Sequence, residues 1–132
     1  MNRKHRILVV DDEPDAISYI KAILSELSDF EVIVSYDGVD GETKAKTEHP
    51  DLIILDVMMP EKDGFKVFYD LRKNQQCKDI PIIMLTGVAE KSGIQFFKRD
   101  MKEFLGSEPI DYIEKPINPE RLKLSIKTAL HV

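Results

Sequence analysis

Three carboxylates in this chain follow short apolar runs. Asp11 and Asp12 come directly after the run 7–10, and Asp56 comes directly after the run 52–55. Runs of this length and composition are typical of strands that are buried on both faces of a sheet. The carboxyl ends of parallel strands form the edge at which open α/β sheets bind ligands. We therefore predict that these carboxylates lie at one edge of a parallel sheet.

A hydroxyl and an ammonium group are placed in the same way. Thr86 follows the apolar run 82–85, and Lys115 follows the run 110–113 after one further residue. If these runs are also parallel strands of the same sheet, their carboxyl ends share one edge. The edge would then carry three carboxylates, a hydroxyl and an ammonium.

Such a set suits a divalent cation and a phosphoryl group. Carboxylates that share a site repel one another and raise at least one pKa, and a divalent cation relieves that repulsion. The ligands are hard oxygens without Cys or His, which favours Mg²⁺ or Mn²⁺ over zinc. Lysine and threonine can bind phosphoryl oxygens, and an aspartate can be the nucleophile that forms an aspartyl-phosphate. The residues indicate phosphoryl transfer, in which positioning and charge neutralisation carry most of the catalysis.

Strand-like and helix-like segments alternate along the whole chain. Strands are predicted at 7–10, 31–35, 52–55, 82–85 and 110–113. Helices are predicted from residue 14, over 39–48, after 64, between 87 and 106, and from 118 onward. This alternation predicts βαβ units and a parallel sheet covered on both faces. We expect an α/β fold of the flavodoxin-like, doubly wound (βα)5 type, with a five-stranded parallel sheet in the order 2-1-3-4-5.

The composition is that of one globular domain. The chain has 132 residues and a net charge of −5, which disfavours non-specific binding to nucleic acid. The single cysteine, Cys77, cannot form an internal disulfide and fits a reducing compartment. The basic start leads into only the short run 7–10, which is too short for a signal peptide or a membrane span. We predict a cytoplasmic protein without membrane association.

Four motifs occur in order and together cover nearly the whole chain. They are Ile7-Leu-Val-Val-Asp-Asp-Glu-Pro14, Asp51-Leu-Ile-Ile-Leu-Asp-Val-Met-Met-Pro-Glu-Lys-Asp-Gly64, Met84-Leu-Thr-Gly87 and Tyr112-Ile-Glu-Lys-Pro116. In content and spacing they resemble the receiver (REC) domain of two-component response regulators, of the CheY-like stand-alone type.

The resemblance implies a role for each acid at the edge. Asp56 would be the phosphoacceptor, phosphorylated by a sensor histidine kinase, a phosphotransfer protein or a small phosphodonor. Asp12, Asp56 and the backbone carbonyl of Met58 would ligate Mg²⁺ (or Mn²⁺), and Asp11 would hold metal-bound water or a ligand. The chain would catalyse only its own phosphorylation and dephosphorylation, as a signalling phosphoacceptor rather than an enzyme.

The resemblance also implies a surface that responds to phosphorylation. Thr86 and Lys115 would bind the phosphoryl oxygens. Tyr112 matches the aromatic switch position, which turns inward as Thr86 moves toward the phosphate. The surface of helix four, strand five and helix five would change, and a downstream protein would read it. The chain would be a monomer or a phosphorylation-dependent homodimer, without direct contact to nucleic acid.

Two features depart from the family pattern. The stretch from Gly87 to Asp111 is several residues longer than is typical, within the face that family members use for output or dimerisation. Phe96 falls off the predicted apolar face of helix four and is a candidate partner contact if exposed. The chain ends soon after helix five, so we expect a single receiver domain over 1–132 with no output domain. The Met1 start favours a stand-alone receiver over a fragment.

Two other functions fit part of the pattern. A Mg²⁺-dependent phosphohydrolase would use the same aspartyl-phosphate chemistry on external substrates. Such a nucleophile is usually followed two residues later by a second acid, whereas that position here is Met58, and the chain offers no cap domain. A non-phosphorylated binding module that kept the fold would lack affinity for Mg²⁺, which the complete set of edge residues disfavours.

Overall fold

Five strands form one parallel sheet in the computed structural model, which describes residues 4–27, 29–87, 95, 97–99, 102–103 and 106–132. The strands are β1 (His5–Val10), β2 (Phe30–Ser35), β3 (Leu52–Asp56), β4 (Ile82–Thr86) and β5 (Asp111–Glu114). Their order is β2-β1-β3-β4-β5, and every neighbouring pair is parallel. The predicted flavodoxin-like α/β fold and strand order are confirmed.

Helices follow the strands as predicted. The bounds are α1 (Pro14–Ser25), α2 (Gly38–Glu48), α3 (Gly64–Arg72) and a C-terminal helix (Pro119–Leu130), which is the fifth predicted helix. The described residues of 95–103 are also helical. The rest of the fourth predicted helix lies outside the described residues, and so does Phe96.

Side-chain caps define where three helices begin. Asp37 accepts a hydrogen bond from the backbone N–H of Asp40 at 2.7 Å, so α2 begins one residue earlier than predicted, at Gly38. Asp63 caps α3 and Asn118 caps the C-terminal helix in the same way. These side chains satisfy backbone donors that have no partner within the helix. The caps therefore fix the loops that leave the carboxyl edge of the sheet.

Two hydrophobic clusters bury the two faces of the sheet. Alternate strand residues point to opposite faces, so neighbouring positions of one strand enter different clusters. One cluster packs the sheet against α1 and the C-terminal helix, around Ile20 and Leu122. The other packs it against α2 and α3, around Phe68 and Leu71. All residues of β3 and β4 are buried, which holds the ends of these central strands in fixed positions.

Gly64 brings the start of α3 against the end of β3. Its backbone N–H donates to the carbonyl oxygen of Val57 at 2.8 Å. A Cβ atom at this position would overlap the carbonyl oxygen of Asp56 and would lie 2.9 Å from the Cα atom of Val57. Backbone atoms cannot rotate away as a side chain can, so only glycine allows this close approach.

The substitution Gly64→Ala is expected to lower the free energy of unfolding by about 1–3 kcal/mol, because the added methyl group forces the backbone apart. Urea unfolding measures this change. Lys66→Ala, an exposed position two residues later in the same helix, is the control and should change stability by about 0.5 kcal/mol or less. Equal stability of the Gly64→Ala variant and the unmodified protein would contradict this packing account.

Candidate metal and phosphoryl-transfer site

The structure brings the three predicted acids together. One carboxylate oxygen from each of Asp11, Asp12 and Asp56 lies within 4.8 Å of the other two. β1 and β3 are hydrogen-bonded neighbours with Val10 opposite Leu55, so the residues that follow these two positions meet at the same edge. Asp11 and Asp56 are buried, whereas Asp12 is half-buried. The cluster therefore has one side open to ligands.

Lys115 neutralises part of this charge. Its Nζ atom lies 2.9 Å from Oδ2 of Asp11 and 3.3 Å from Oδ1 of Asp56. The backbone N–H of Lys115 donates to the carbonyl oxygen of Thr86 at 2.7 Å, which ties the end of β4 to the residue after β5. Thr86 is itself buried. The predicted five-residue set therefore lies at one edge, with a single lysine contacting two of its acids.

The environment of Asp56 resists ionisation. Burial raises the pKa of this carboxyl most, and the negative charge of Asp11 raises it further. Lys115 works in the opposite direction, but the pKa of Asp56 still rises to about 7. Burial also acts to lower the pKa of Lys115, yet the hydrogen bonds and charges of Asp11 and Asp56 outweigh it and raise that pKa. Lys115 is therefore a stable cation beside carboxylates that are not fully neutralised.

This donor set fits a hard divalent cation. Three clustered carboxylates face one ammonium, which leaves an excess of negative charge in a site of low exposure. Mg²⁺ and Mn²⁺ favour such oxygen ligands and keep open positions for water or phosphate oxygens. Asp11, Asp12 and Asp56 are the described side chains that could hold the metal.

Ser35 supports the site and was not identified from the sequence. Its backbone carbonyl accepts a hydrogen bond from the N–H of Asp11 at 3.1 Å. Its buried hydroxyl lies 2.7 Å from Oδ2 of Asp40, in the first turn of α2. The sequence does contain a feature that could have indicated this role: Ser35 is a small polar residue at the end of an apolar strand, two residues before Asp37, which caps α2. Ser35 thus connects α2 to the backbone of the edge that carries the acid cluster.

The two remaining predicted site residues, Met58 and Tyr112, lie outside the cluster of acids. Met58 lies in the loop between β3 and α3, and the residue is 60% exposed. The hydroxyl of Tyr112 is buried and has no hydrogen-bond partner among the described residues. Burial also raises the pKa of Tyr112. Lys98 is half-buried, and its Nζ atom lies 4.6 Å from the Tyr112 ring centroid.

Comparisons with known proteins agree with this geometry. Residues 7–127 match the response regulator receiver domain family. The chain is 41% identical over 130 residues to the alkaline phosphatase synthesis transcriptional regulatory protein PhoP of Bacillus subtilis, covering 98% of this chain and 49% of PhoP. It is 37% identical over 125 residues to the DNA-binding dual master transcriptional regulator RpaA of Synechocystis, covering 95% of this chain and 48% of RpaA. The chain spans about half the length of these relatives.

Solved structures give the same result. A putative response regulator from Chloroflexus aurantiacus superposes with a TM-score of 0.85 at 25% identity, covering 98% of this chain and all of that one. The receiver domain of a sensor histidine kinase from Pseudomonas aeruginosa, with a magnesium ion coordinated in its active-site cleft, gives 0.80 at 26% identity, covering 98% and 99% of the two chains.

The chain belongs to the response regulator receiver family, whose members are the phosphoacceptor domains of two-component systems. Membership of this family does not favour the phosphohydrolase alternative. In the part of the chain that the structure describes, no helix combines the length and hydrophobicity that crossing a membrane requires.

The raised pKa of Asp56 predicts how stability depends on pH without metal. Between about pH 4 and pH 7 the native carboxyl keeps a proton that the unfolded chain releases, so stability falls as the pH rises through this range. The substitution Asp56→Asn removes this pH-dependent loss of stability, because an amide does not ionise. The variant is expected to match the unmodified protein near pH 4 and to exceed its free energy of unfolding by about 2–4 kcal/mol near pH 8.

Urea unfolding with a chelator present, repeated across this pH range, measures the difference. Asp63→Asn is the control, because Asp63 is exposed and asparagine also caps a helix. A constant difference between Asp56→Asn and the unmodified protein from pH 4 to pH 8 would contradict the electrostatic account.

Proposed function

We propose that Asp56 accepts a phosphoryl group from a histidine kinase, a phosphotransfer protein or a small phosphodonor, and that the chain signals through this modification. The supporting observation is the position of its carboxyl. Asp56 is buried, lies beside two other acids and has Oδ1 3.3 Å from Nζ of Lys115. A nucleophile in this position has an ammonium at the point where negative phosphoryl oxygens would arrive.

In the transfer step, a carboxylate oxygen of Asp56 attacks phosphorus. The new bond is the P–O bond of an aspartyl-phosphate, and the bond that breaks joins phosphorus to the donor. The leaving group, the histidine imidazole of a kinase, takes the bonding electrons and accepts a proton from solvent. Asp56 must be ionised to attack, and its pKa of about 7 makes this form costly without a cation. Positioning and charge neutralisation supply most of the catalysis.

The remaining edge residues have distinct roles in this proposal. Asp12, Asp56 and the backbone carbonyl of Met58 would hold Mg²⁺ (or Mn²⁺), and Asp11 would orient a water molecule that belongs to the metal site. The metal neutralises charge on the carboxylates and on the phosphoryl oxygens when bound. Lys115 exchanges part of its contact with Asp56 for a phosphoryl oxygen.

Thr86 and Tyr112 form the switch. Thr86 moves to donate its hydroxyl to the phosphate, and Tyr112 then changes its position on the neighbouring strand. The buried hydroxyl of Tyr112, unpartnered among the described residues, supports this role. An unsatisfied buried hydroxyl costs about 1–3 kcal/mol, so a second position in which it is hydrogen-bonded becomes accessible. The surface around β5 and the C-terminal helix would carry the signal.

A protein partner reads this surface. Receiver domains pair with histidine kinases, and the two curated relatives named above are transcriptional regulators. We propose that this receiver unit contacts proteins rather than nucleic acid directly. We also propose a monomeric or phosphorylation-dependent dimeric state and a cytoplasmic location for this receiver unit.

Asp56→Asn is expected to abolish incorporation of phosphate from a radiolabelled small phosphodonor in the presence of Mg²⁺, because an amide is not a nucleophile for this transfer. Filter binding measures the label that stays with the protein. Asp63→Asn, which changes an exposed acid outside the cluster, should incorporate label at the rate of the unmodified protein.

Label uptake by Asp56→Asn at the rate of the unmodified protein would contradict the assignment of Asp56. The same assay separates a phosphoacceptor from a phosphohydrolase. The proposal predicts at most one phosphate per chain and no steady turnover of phosphate esters.

A further inference from the structure

Lys62 connects the loop at the site to two helices. This lysine lies in the 57–63 loop between β3 and α3, and only 19% of its side chain is exposed. Its ammonium forms an ion pair with Glu42 of α2 and lies 2.6 Å from Oδ2 of Asp70 of α3. A long side chain therefore leaves the loop and ends between two helices.

The ion pairs make a small network with Lys62 at its centre. Glu42 also contacts Lys46 at 3.2 Å, and Asp70 also contacts Lys66 at 3.1 Å. Burial acts to lower the pKa of Lys62, but the hydrogen bonds that its ammonium donates to Asp70 and Glu42, together with their negative charges, outweigh burial and raise that pKa. Lys62 is the cation that both carboxylates share. Its removal would leave Glu42 paired with Lys46 alone and Asp70 paired with Lys66 alone, so that no cation would join the two helices to the loop.

The loop backbone is tightly packed at Lys62 and has an unfavourable conformation at the residue before it. The carbonyl oxygen of Lys62 lies so close to Gly38 that a Cβ atom there would overlap it. The preceding residue, Glu61, has a φ of 68°, a left-handed conformation that is unfavourable for a side chain of this type. A residue in such a conformation persists only where the surrounding contacts hold it, and the ion pairs of the next residue, Lys62, are contacts of this kind.

Met58 lies in the same loop, between Asp56 and Lys62. The N–H of Val57 donates to Leu85 at 3.0 Å, which fixes the start of the loop, and Lys62 fixes its far end. The loop that carries Met58 is therefore held to β4 through Val57, closed by the hydrogen bond from Gly64 to Val57, and attached to the α2–α3 pair through Lys62. Residues that orient a metal ligand from outside the ligand set commonly change metal affinity when they are replaced.

We propose that Lys62 is a positioning residue of the metal site: its ion pairs with Glu42 and Asp70 hold the loop so that the Met58 carbonyl can complete the ligand set. This inference rests on the proposed function, because that function assigns the carbonyl to the metal. Lys62 itself contacts neither metal nor phosphoryl group. The sequence gives it no role of this kind, since its partners are 20 and 8 residues away.

The test compares Mn²⁺ affinity in Lys62→Met, Lys62→Arg and Lys66→Met, measured from the free-ion signal in electron paramagnetic resonance. Lys62→Met keeps the apolar stem without the charge and should weaken Mn²⁺ binding on the order of tenfold. Lys62→Arg restores the charge and should recover most of the affinity. Lys66→Met removes the exposed lysine that contacts the same Asp70, and should leave the affinity unchanged.

Thermal unfolding of each variant separates positioning from general stability. A lysine with a structural role alone would lower the melting temperature in Lys62→Met and leave Mn²⁺ affinity unchanged, and that result would overturn the inference. If Lys62→Met does not fold, Glu42→Gln removes one of the two ion pairs of Lys62 and should weaken Mn²⁺ binding to a smaller extent. Unchanged affinity in that variant overturns the inference equally.

The unmodified protein distinguishes this inference from the function on which it rests. If it binds Mn²⁺ and Asp12→Asn loses that binding, the proposed metal site stands and the Lys62 variants decide the inference alone. If the unmodified protein binds no Mn²⁺, the metal site and the inference both fail.

Discussion

Repulsion among carboxylates at one edge of the sheet is the constraint on which the site depends. Asp11, Asp12 and Asp56 approach within 4.8 Å, and Lys115 offsets only part of their charge. The pKa of Asp56 is raised to about 7 because the structure keeps this carboxyl buried beside another negative group. A fold selected for stability alone would separate these acids or pair each with a base. The free-energy cost of keeping three acids together is consistent with a site that binds a cation and a phosphoryl group.

The backbone makes this arrangement unavoidable. Parallel pairing of β1 with β3 places the residues after Val10 and Leu55 at one edge, and complete burial of β3 prevents the strand from shifting. Gly64 lets α3 begin against the carbonyl of Asp56, and Ser35 holds the backbone of Asp11. The small residues Gly64 and Ser35 thus help to set the positions of Asp56 and Asp11, because they let neighbouring backbone segments come close together at this edge.

Strand-end chemistry could be predicted from the sequence because it depends on local patterns. The apolar runs before Asp56 and Thr86 are short and sharply bounded, so the ends of these strands could be predicted. The strand order was predicted because right-handed crossovers leave few topologies and the flavodoxin-like order is the commonest of them. Element boundaries were less accurate. β1 begins at His5 and α2 at Gly38, since strand pairing and the Asp37 cap extend elements beyond their apolar residues.

Contacts between elements that are distant in the sequence could not be predicted in the same way. The Lys62 ion pairs, the Ser35–Asp40 hydrogen bond and the placement of Lys98 over Tyr112 each need the packed structure to bring the partners together. Charged residues with no periodic pattern look like solvent-exposed positions when the sequence alone is considered. Lys98 is a residue of this kind, and the structure places its ammonium over the ring of Tyr112.

The most direct test of the central claim is chemical mapping of the phosphorylated residue in the unmodified protein. After treatment with a small phosphodonor and Mg²⁺, borohydride reduction converts an aspartyl-phosphate into homoserine, which peptide mass spectrometry locates. The account predicts homoserine at position 56 and at no other aspartate. Homoserine at position 11 or 12, or intact aspartate at position 56 in protein that has incorporated phosphate, would contradict it.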